Sequence, residues 1–227
     1  MQISQTAILL LSVTSFTSWS ALYGILCLAF THKSYEWSYR VVVTVHCLAM
    51  LVMSAACELF NETWRFSIPG QPSTNDEIFT LAICQGYFIF DLIHSIYQGK
   101  AKVMWAHHAI AAVGARVTLT SGICGAEVTL CLFLAELTNP MLMAHWFLRD
   151  AGMADHILYE VNQLLFLASY IVIRMGLGSY LLYLYIMNPL SYVLLKIGGI
   201  IMWLVNVVFM GEILKKAYKN FIVKKRI

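Results

Sequence analysis

Seven predominantly apolar stretches run through the chain, at about 7–30, 41–60, 78–97, 103–121, 123–148, 160–187 and 190–213. Each is close to the roughly 20 residues that a helix needs to cross the hydrocarbon core of a bilayer. The connectors between them are short. The longest, 61–77, carries Asn61, Glu62, Arg65, Pro69, Gly70, Pro72 and Asp76 and reads as a turn-rich loop. None is long enough for a soluble domain. Of the 227 residues, 60% are hydrophobic and 12% charged, the latter about half the share usual in soluble proteins. Disordered, collagen-like and ordinary water-soluble chains are excluded on that ground. The expected fold is an all-α integral membrane protein, a seven-helix bundle. The net charge of +3 is modest and its basic residues gather on no soluble module, so no nucleic-acid surface is expected.

Basic residues set the expected orientation. With the N-terminus lumenal, cytosolic segments carry Lys33, Arg40, Lys100, Lys102, Arg149, Lys215, Lys216, Lys219, Lys224, Lys225 and Arg226, and the lumenal loops carry Arg65. Cytosolic enrichment in Lys and Arg is the general rule, so the N-terminus is placed in the lumen and the C-terminus in the cytosol. Asn61-Glu62-Thr63 is a glycosylation sequon on the lumenal side of that arrangement. The terminal Lys224-Lys225-Arg226-Ile227 reads either as a retrieval signal of the endoplasmic reticulum or as a basic anchor on anionic lipid. The first span is expected to stay, because Met1–Ser4 holds no positive charge. Cys57 and Cys124 lie near lumenal ends and could pair, although small apolar core residues are the favoured reading of the cysteines.

Ionisable groups at membrane depth are costly and point to a cavity or a pair. On the third span Cys84, Tyr87, Asp91, His94 and Gln98 are spaced 3, 4, 3 and 4 apart, one face of a helix that must look into the bundle. Rise along a helix puts His46 about 9 Å past Arg40, Asp91 about 10 Å before Gln98, and His107 and His108 about 8 Å past Lys102. Three helices thus bring His, Asp and His-His to one level. Adjacent histidines point about 100° apart, so one of the two aims at any given atom. A carboxylate such as Asp91 fixes an imidazole's tautomer and raises its basicity, suiting it to act as base or nucleophile. The alternative is an inter-helix hydrogen bond worth about 0.6 kcal/mol.

The fifth span contains Glu136-Leu137-Thr138-Asn139-Pro140. Pro140 has no N–H, so a kink is expected there with the carbonyl of Glu136 freed. A carboxylate and an amide would stand beside it as a second wall of the cavity. Arg174 is expected either to pair with Glu136 or Asp91 or to hold a lipid head group, and Arg116 to pair. Lys196 is expected to snorkel and Glu127 to be hydrated. A multi-histidine metal centre is not expected, since His107-His108 are the one close pair. No Gly-x-Ser-x-Gly elbow or Walker-type loop occurs.

The blocks SYEWSYR (34–40), VTVH (43–46), GYFIFDL (86–92), AHH (106–108), ELTNP (136–140), WFLRDAG (146–152) and IRMGLG (173–178) resemble those of the TLC-domain family, which includes the ceramide synthases. The resemblance implies three parts: a first transmembrane helix over 1–30, a TLC domain over 31–220 and a cytosolic basic tail over 221–227. It implies a six-helix core around a lipid-sized cavity, endoplasmic-reticulum or related membranes, and a role in lipid metabolism or homeostasis. By that likeness His107 and His108 are catalytic in acyl transfer from acyl-CoA, and Asp91, from its place on the polar face of the third span, is expected to orient them. His46, Glu136, Asn139 and Arg174 are the matching substrate-binding positions. Ceramide synthases continue after the histidine pair with an Asp-rich stretch; here 109–126 hold no acid, and Glu136 is the candidate substitute. The other reading is a lipid-binding regulator of phospholipid composition without catalysis. Expected partners are membrane lipids, acyl-CoA as co-substrate and a second copy of the chain in a homodimer; no resident cofactor and no metal are expected.

Overall fold

The computed structural model describes residues 3–59 and 69–219; the sequon at Asn61 and the terminal Lys224-Lys225 lie outside them. The described residues form α1 (Gln5–Ala29), α2 (Tyr35–Leu59), α3 (Asn75–Tyr97), α4 (Lys102–Ser121), α5 (Gly125–Glu136) and α6 (Asn139–Asp150). A second run follows: α7 (Ile157–Ser169), a π-helical stretch (Tyr170–Leu177), α8 (Gly178–Met187) and α9 (Val193–Tyr218). The pair α5–α6 is one rod broken at Leu137-Thr138, and α7 through α8 is another, so the described chain makes seven rods. Six are long and apolar enough to cross a membrane. The exception is α4, which carries Lys102, His107, His108 and Arg116 and packs against both α3 and α9.

Local chemistry sets the helix ends. Ser4 caps α1 by accepting from the Ala7 N–H. Thr74 and Glu77 form a reciprocal capping box at the start of α3. Gly122 closes α4 at φ 71°, a left-handed conformation that glycine adopts without strain. There the chain between α2 and α3 is stitched to the α4–α5 turn: Ser73 N–H donates to Gly122 O at 2.8 Å and Cys124 N–H to Gln71 O at 3.0 Å. Glu127 is buried, and Oε1 accepts the Gly70 N–H at 2.7 Å. The expectation of a hydrated Glu127 is therefore corrected: its carboxylate pins a loop. Cys57 and Cys124 do not form a disulfide with each other. Cys57 Sγ lies 3.5 Å from Thr80 Oγ1, and Cys124 Sγ 3.5 Å from the Tyr185 hydroxyl. Lys196 donates to the carbonyls of Ile186 and Asn188 at 2.9 and 2.7 Å, capping the end of α8 rather than reaching for water.

The third helix sits at the centre. Two thirds of its span (67%) is buried, against 6% for α9, and it touches α1, α2, α4 and α5. Its approach to α1 is close because Gly86 has no side chain. A Cβ there would stand 2.5 Å from Ser12 O and 2.6 Å from Phe16 N. The same contact is tied by Ser12 Oγ donating to Gln85 Oε1 at 2.9 Å and Ser15 Oγ to Ile83 O at 2.6 Å. Small residues and hydroxyls are what membrane helices use where hydrophobicity cannot discriminate helix from lipid. Ile8, Ile78, Leu81 and Leu119 fill the neighbouring core.

Gly86→Val should push α1 from α3, destabilising the fold by about 1–3 kcal/mol. Gly24→Val, at a position where an added Cβ meets nothing within 4 Å, should not. Thermal melting of the detergent-solubilised full chain measures both, and equal melting of the two variants would contradict the assigned packing.

Candidate functional site

Where α2, α3 and α4 meet, a buried polar cluster forms near the Lys100 turn. Tyr39 of α2 donates its hydroxyl to Asp91 Oδ1 of α3 at 2.5 Å. The other carboxylate oxygen, Oδ2, lies 3.3 Å from His108 Nδ1 of α4. That is ion-pair distance without hydrogen-bond alignment, and neither His108 nitrogen has a hydrogen-bond partner among the described residues. We read it as an electrostatic pairing rather than a made hydrogen bond. His94 stacks on Tyr39 with ring centroids 3.9 Å apart and planes at 3°. Lys100 caps the other side, its ammonium 3.7 Å from the centroid of the Tyr39 ring. Burial pushes the Lys100 pKa below its ordinary value, with Glu36 drawing it back up.

A second polar cluster surrounds the break in the fifth rod. Pro140 falls in the first turn of α6, where a missing N–H costs nothing. Arg174, on the π-helical stretch, reaches across to it. Its Nε donates to Thr138 Oγ1 at 2.9 Å, Nη2 to Asn139 Oδ1 at 3.0 Å and to the Ala135 carbonyl, and Nη1 to Asn206 Oδ1 of α9 at 3.3 Å. Asn139 passes the contact on, its Nδ2 donating to Glu136 Oε2 at 2.7 Å. Glu136 Oε1 lies 3.8 Å from His46 Nε2, and His46 stacks on Tyr87 with ring centroids 3.4 Å apart. The carbonyl that the arginine caps is that of Ala135, beside the break. α5 ends at Glu136 and a new helix starts at Asn139.

Between these elements lies a cavity of about 280 Å³, bounded by α3, α4, α5, the π-helical stretch, α8 and α9. Its wall is mostly aliphatic and aromatic. One end is polar: His107, Glu136, Asn139, Arg174 and Asn206 line it, and His107 Nδ1 has no hydrogen-bond partner among the described residues. The other end runs to Glu127, Tyr185 and Leu195. Along α5 it runs from Glu127 to Glu136, about 14 Å.

The structure divides the predicted site residues. His107 opens on the cavity with Glu136, Asn139 and Arg174, whereas His108 faces Asp91 behind the wall. His46 stands behind Glu136 and is not among the lining residues. The two imidazoles are 5.2 Å apart, ring to ring, at 79°, as adjacent positions on a helix require. Arg174 meets Glu136 through an amide, not by a direct ion pair. Arg116 makes no ion pair among the described residues, which corrects the expected pairing; it lies eight residues along α4 from His108, about 12 Å from the level of Asp91. Among the described residues no group of three His, Cys, Asp or Glu side chains comes together that could hold a metal ion.

Sequence reasoning missed Tyr39 and Asn206. Tyr39 lies seven residues before His46, on the same face of α2, and that register was a usable signal. Asn206 is an amide within the apolar run 197–210 of α9, and attention to ionisable groups alone passes over it.

The chain also matches the family model of the TLC domain over residues 15–215. It is 28% identical over 145 residues to TLC domain-containing protein 4 A of Dictyostelium discoideum, covering 61% of this chain and 55% of that protein. It is 28% identical over 113 residues to human TLC domain-containing protein 1, covering 47% and 44%, and 25% identical over 147 residues to TLC domain-containing protein 2 of Danio rerio, covering 61% and 59%. The matches span about half the length of these relatives. No solved structure matches it. A model that aligns with nearly the whole bundle, from the middle of α1 almost to the end of α9, places this multi-pass membrane chain in the TLC-domain family.

Proposed function

We propose that the protein handles acyl lipids and transfers an acyl group from acyl-CoA to a lipid hydroxyl or amine. One observation carries this reading: the imidazole of His107 stands at the polar end of an otherwise apolar cavity, beside Glu136, Asn139 and Arg174. An acyl chain would lie along the apolar wall with its carbonyl near His107. The Nε2 of His107 accepts the proton of the acceptor as that acceptor's lone pair attacks the thioester carbon. The carbon–sulfur bond breaks and the proton passes to the CoA sulfur, leaving an acylated lipid and free thiol. Behind the wall Asp91, held by Tyr39, pairs with His108 and supports α4 at the position next to His107. Arg174, with its hydrogen bonds to Thr138, Asn139, Asn206 and Ala135, keeps the polar end in one geometry. Membrane lipids are the partners in this reading, with a homodimer as the assembly. The basic bias of the loops supports an N-lumenal, C-cytosolic orientation in the endoplasmic reticulum. Within the family, blocks such as SYEWSYR and WFLRDAG resemble TLC domain-containing protein 5, also called transmembrane protein 136.

A second reading is a lipid-binding regulator of membrane phospholipid composition. It is favoured by the orientation of the Asp91–His108 pair, which is turned away from the cavity and so does not share a ligand with His107.

The purified full chain, given radiolabelled acyl-CoA and membrane lipids, should form labelled product. Removing a general base costs about 10²–10⁴ in rate, so His107→Ala should lose at least about 100-fold, and Asp91→Asn should lose less. Transfer at the wild-type rate in His107→Ala would overturn the catalytic reading. A wild-type protein that binds acyl lipid without transferring it would establish the regulator instead.

A further inference from the structure

We propose that Gly114 of α4 and Gly198 of α9 set the length of chain that the cavity admits, an inference that rests on the acyl-lipid reading above. Both residues line the cavity. Gly114 lies seven residues along α4 from His107, about 10 Å, and on the same face. Gly198 lies eight residues along α9 from Asn206, about 12 Å. The two helices pack against each other, so the glycines flank the slot at nearly the same distance from its polar end. Beyond them the cavity continues past Cys131 toward Glu127 and Tyr185.

The glycines of this bundle serve different ends. At Gly199 an added Cβ would stand 2.9 Å from Leu182 Cδ1, and at Gly178 it would stand 3.5 Å from the Ile173 carbonyl. Gly199 admits a neighbouring side chain, and Gly178 has a backbone carbonyl at contact distance. At Gly114 and Gly198 an added Cβ would meet nothing within 4 Å. Glycine is the poorest helix former after proline, and no packed neighbour requires it at either place. What the absent side chains leave is open cavity. A leucine at either position would stand across the slot and separate its polar end from the section beyond. Chain atoms that reach past this point would then lose their apolar wall, at about fourfold in affinity for each methylene excluded.

The test uses the full chain in nanodiscs and the displacement of a fluorescent fatty acid by saturated fatty acids of graded length. Wild type should gain affinity with each added methylene until the slot is full. Gly114→Leu and Gly198→Leu should reach that plateau several methylenes earlier, with short chains bound as in wild type. Gly211→Leu is the control. It is on α9, with nothing within 4 Å of an added Cβ, and is not among the lining residues; its profile should match wild type. Gly114→Ala and Gly198→Ala add one methyl to open space and should shorten the plateau by a smaller step, which keeps the question decidable if a leucine variant does not fold. Unchanged profiles in the glycine variants of the slot, or an equal shift in Gly211→Leu, would overturn the inference while leaving the acyl-lipid reading intact. A wild-type protein that binds none of the fatty acids would overturn both.

Discussion

A guanidinium inside hydrocarbon has to be surrounded by oxygen, and Arg174 finds its oxygens by breaking a helix. Thr138, Asn139 and the Ala135 carbonyl come from the interrupted fifth rod, and Asn206 from the last helix. Each of these groups would be costly to leave unpaired at this depth. The π-helical stretch Tyr170–Leu177 carries the arginine, and such stretches recur at functional sites because they re-aim a side chain. Three rods are fixed relative to one another by this one side chain. The polar end of the cavity is the by-product: Asn139 and Glu136 are aimed by the same hydrogen bonds.

The two histidines of the pair divide the molecule's polar interior. His108 belongs to the α2–α3–α4 junction, where Tyr39 and Asp91 meet and His94 and Lys100 sandwich the tyrosine ring. His107 belongs to the cavity. The cavity wall and the Asp91 junction thus lie on different sides of one helix, α4.

Much of the fold was legible in the sequence, because span length is set by the bilayer and polar faces by the cost of charge. The face of Tyr87, Asp91 and His94 on α3 is buried as its spacing required, while Gln98 is exposed at the helix end. The shared depth of His46, Asp91 and the histidine pair also placed them in one region of the bundle. Rotation about each helix axis was not legible. It decides that His107 and not His108 faces the cavity, that His46 stands behind Glu136, and that Arg116 lacks the carboxylate it was expected to meet. Glu127 was read as hydrated because its partner is a backbone N–H, at Gly70, which no residue type announces. The hydrogen bond from Arg174 to the Ala135 carbonyl was not legible for the same reason, and its contact with Asn139 spans 35 residues of sequence.

Whether a lipid chain enters the bundle is the question on which the functional account stands. It is answered most directly by irradiating the full chain in membranes that contain a diazirine-bearing fatty acid and mapping the adducts by peptide mass spectrometry. Adducts at Ala111, Cys131 and Met202 on the cavity wall are the result expected. Adducts confined to outward-facing residues such as Val52, Leu164 and Val172, which are 71%, 51% and 66% exposed, would contradict it.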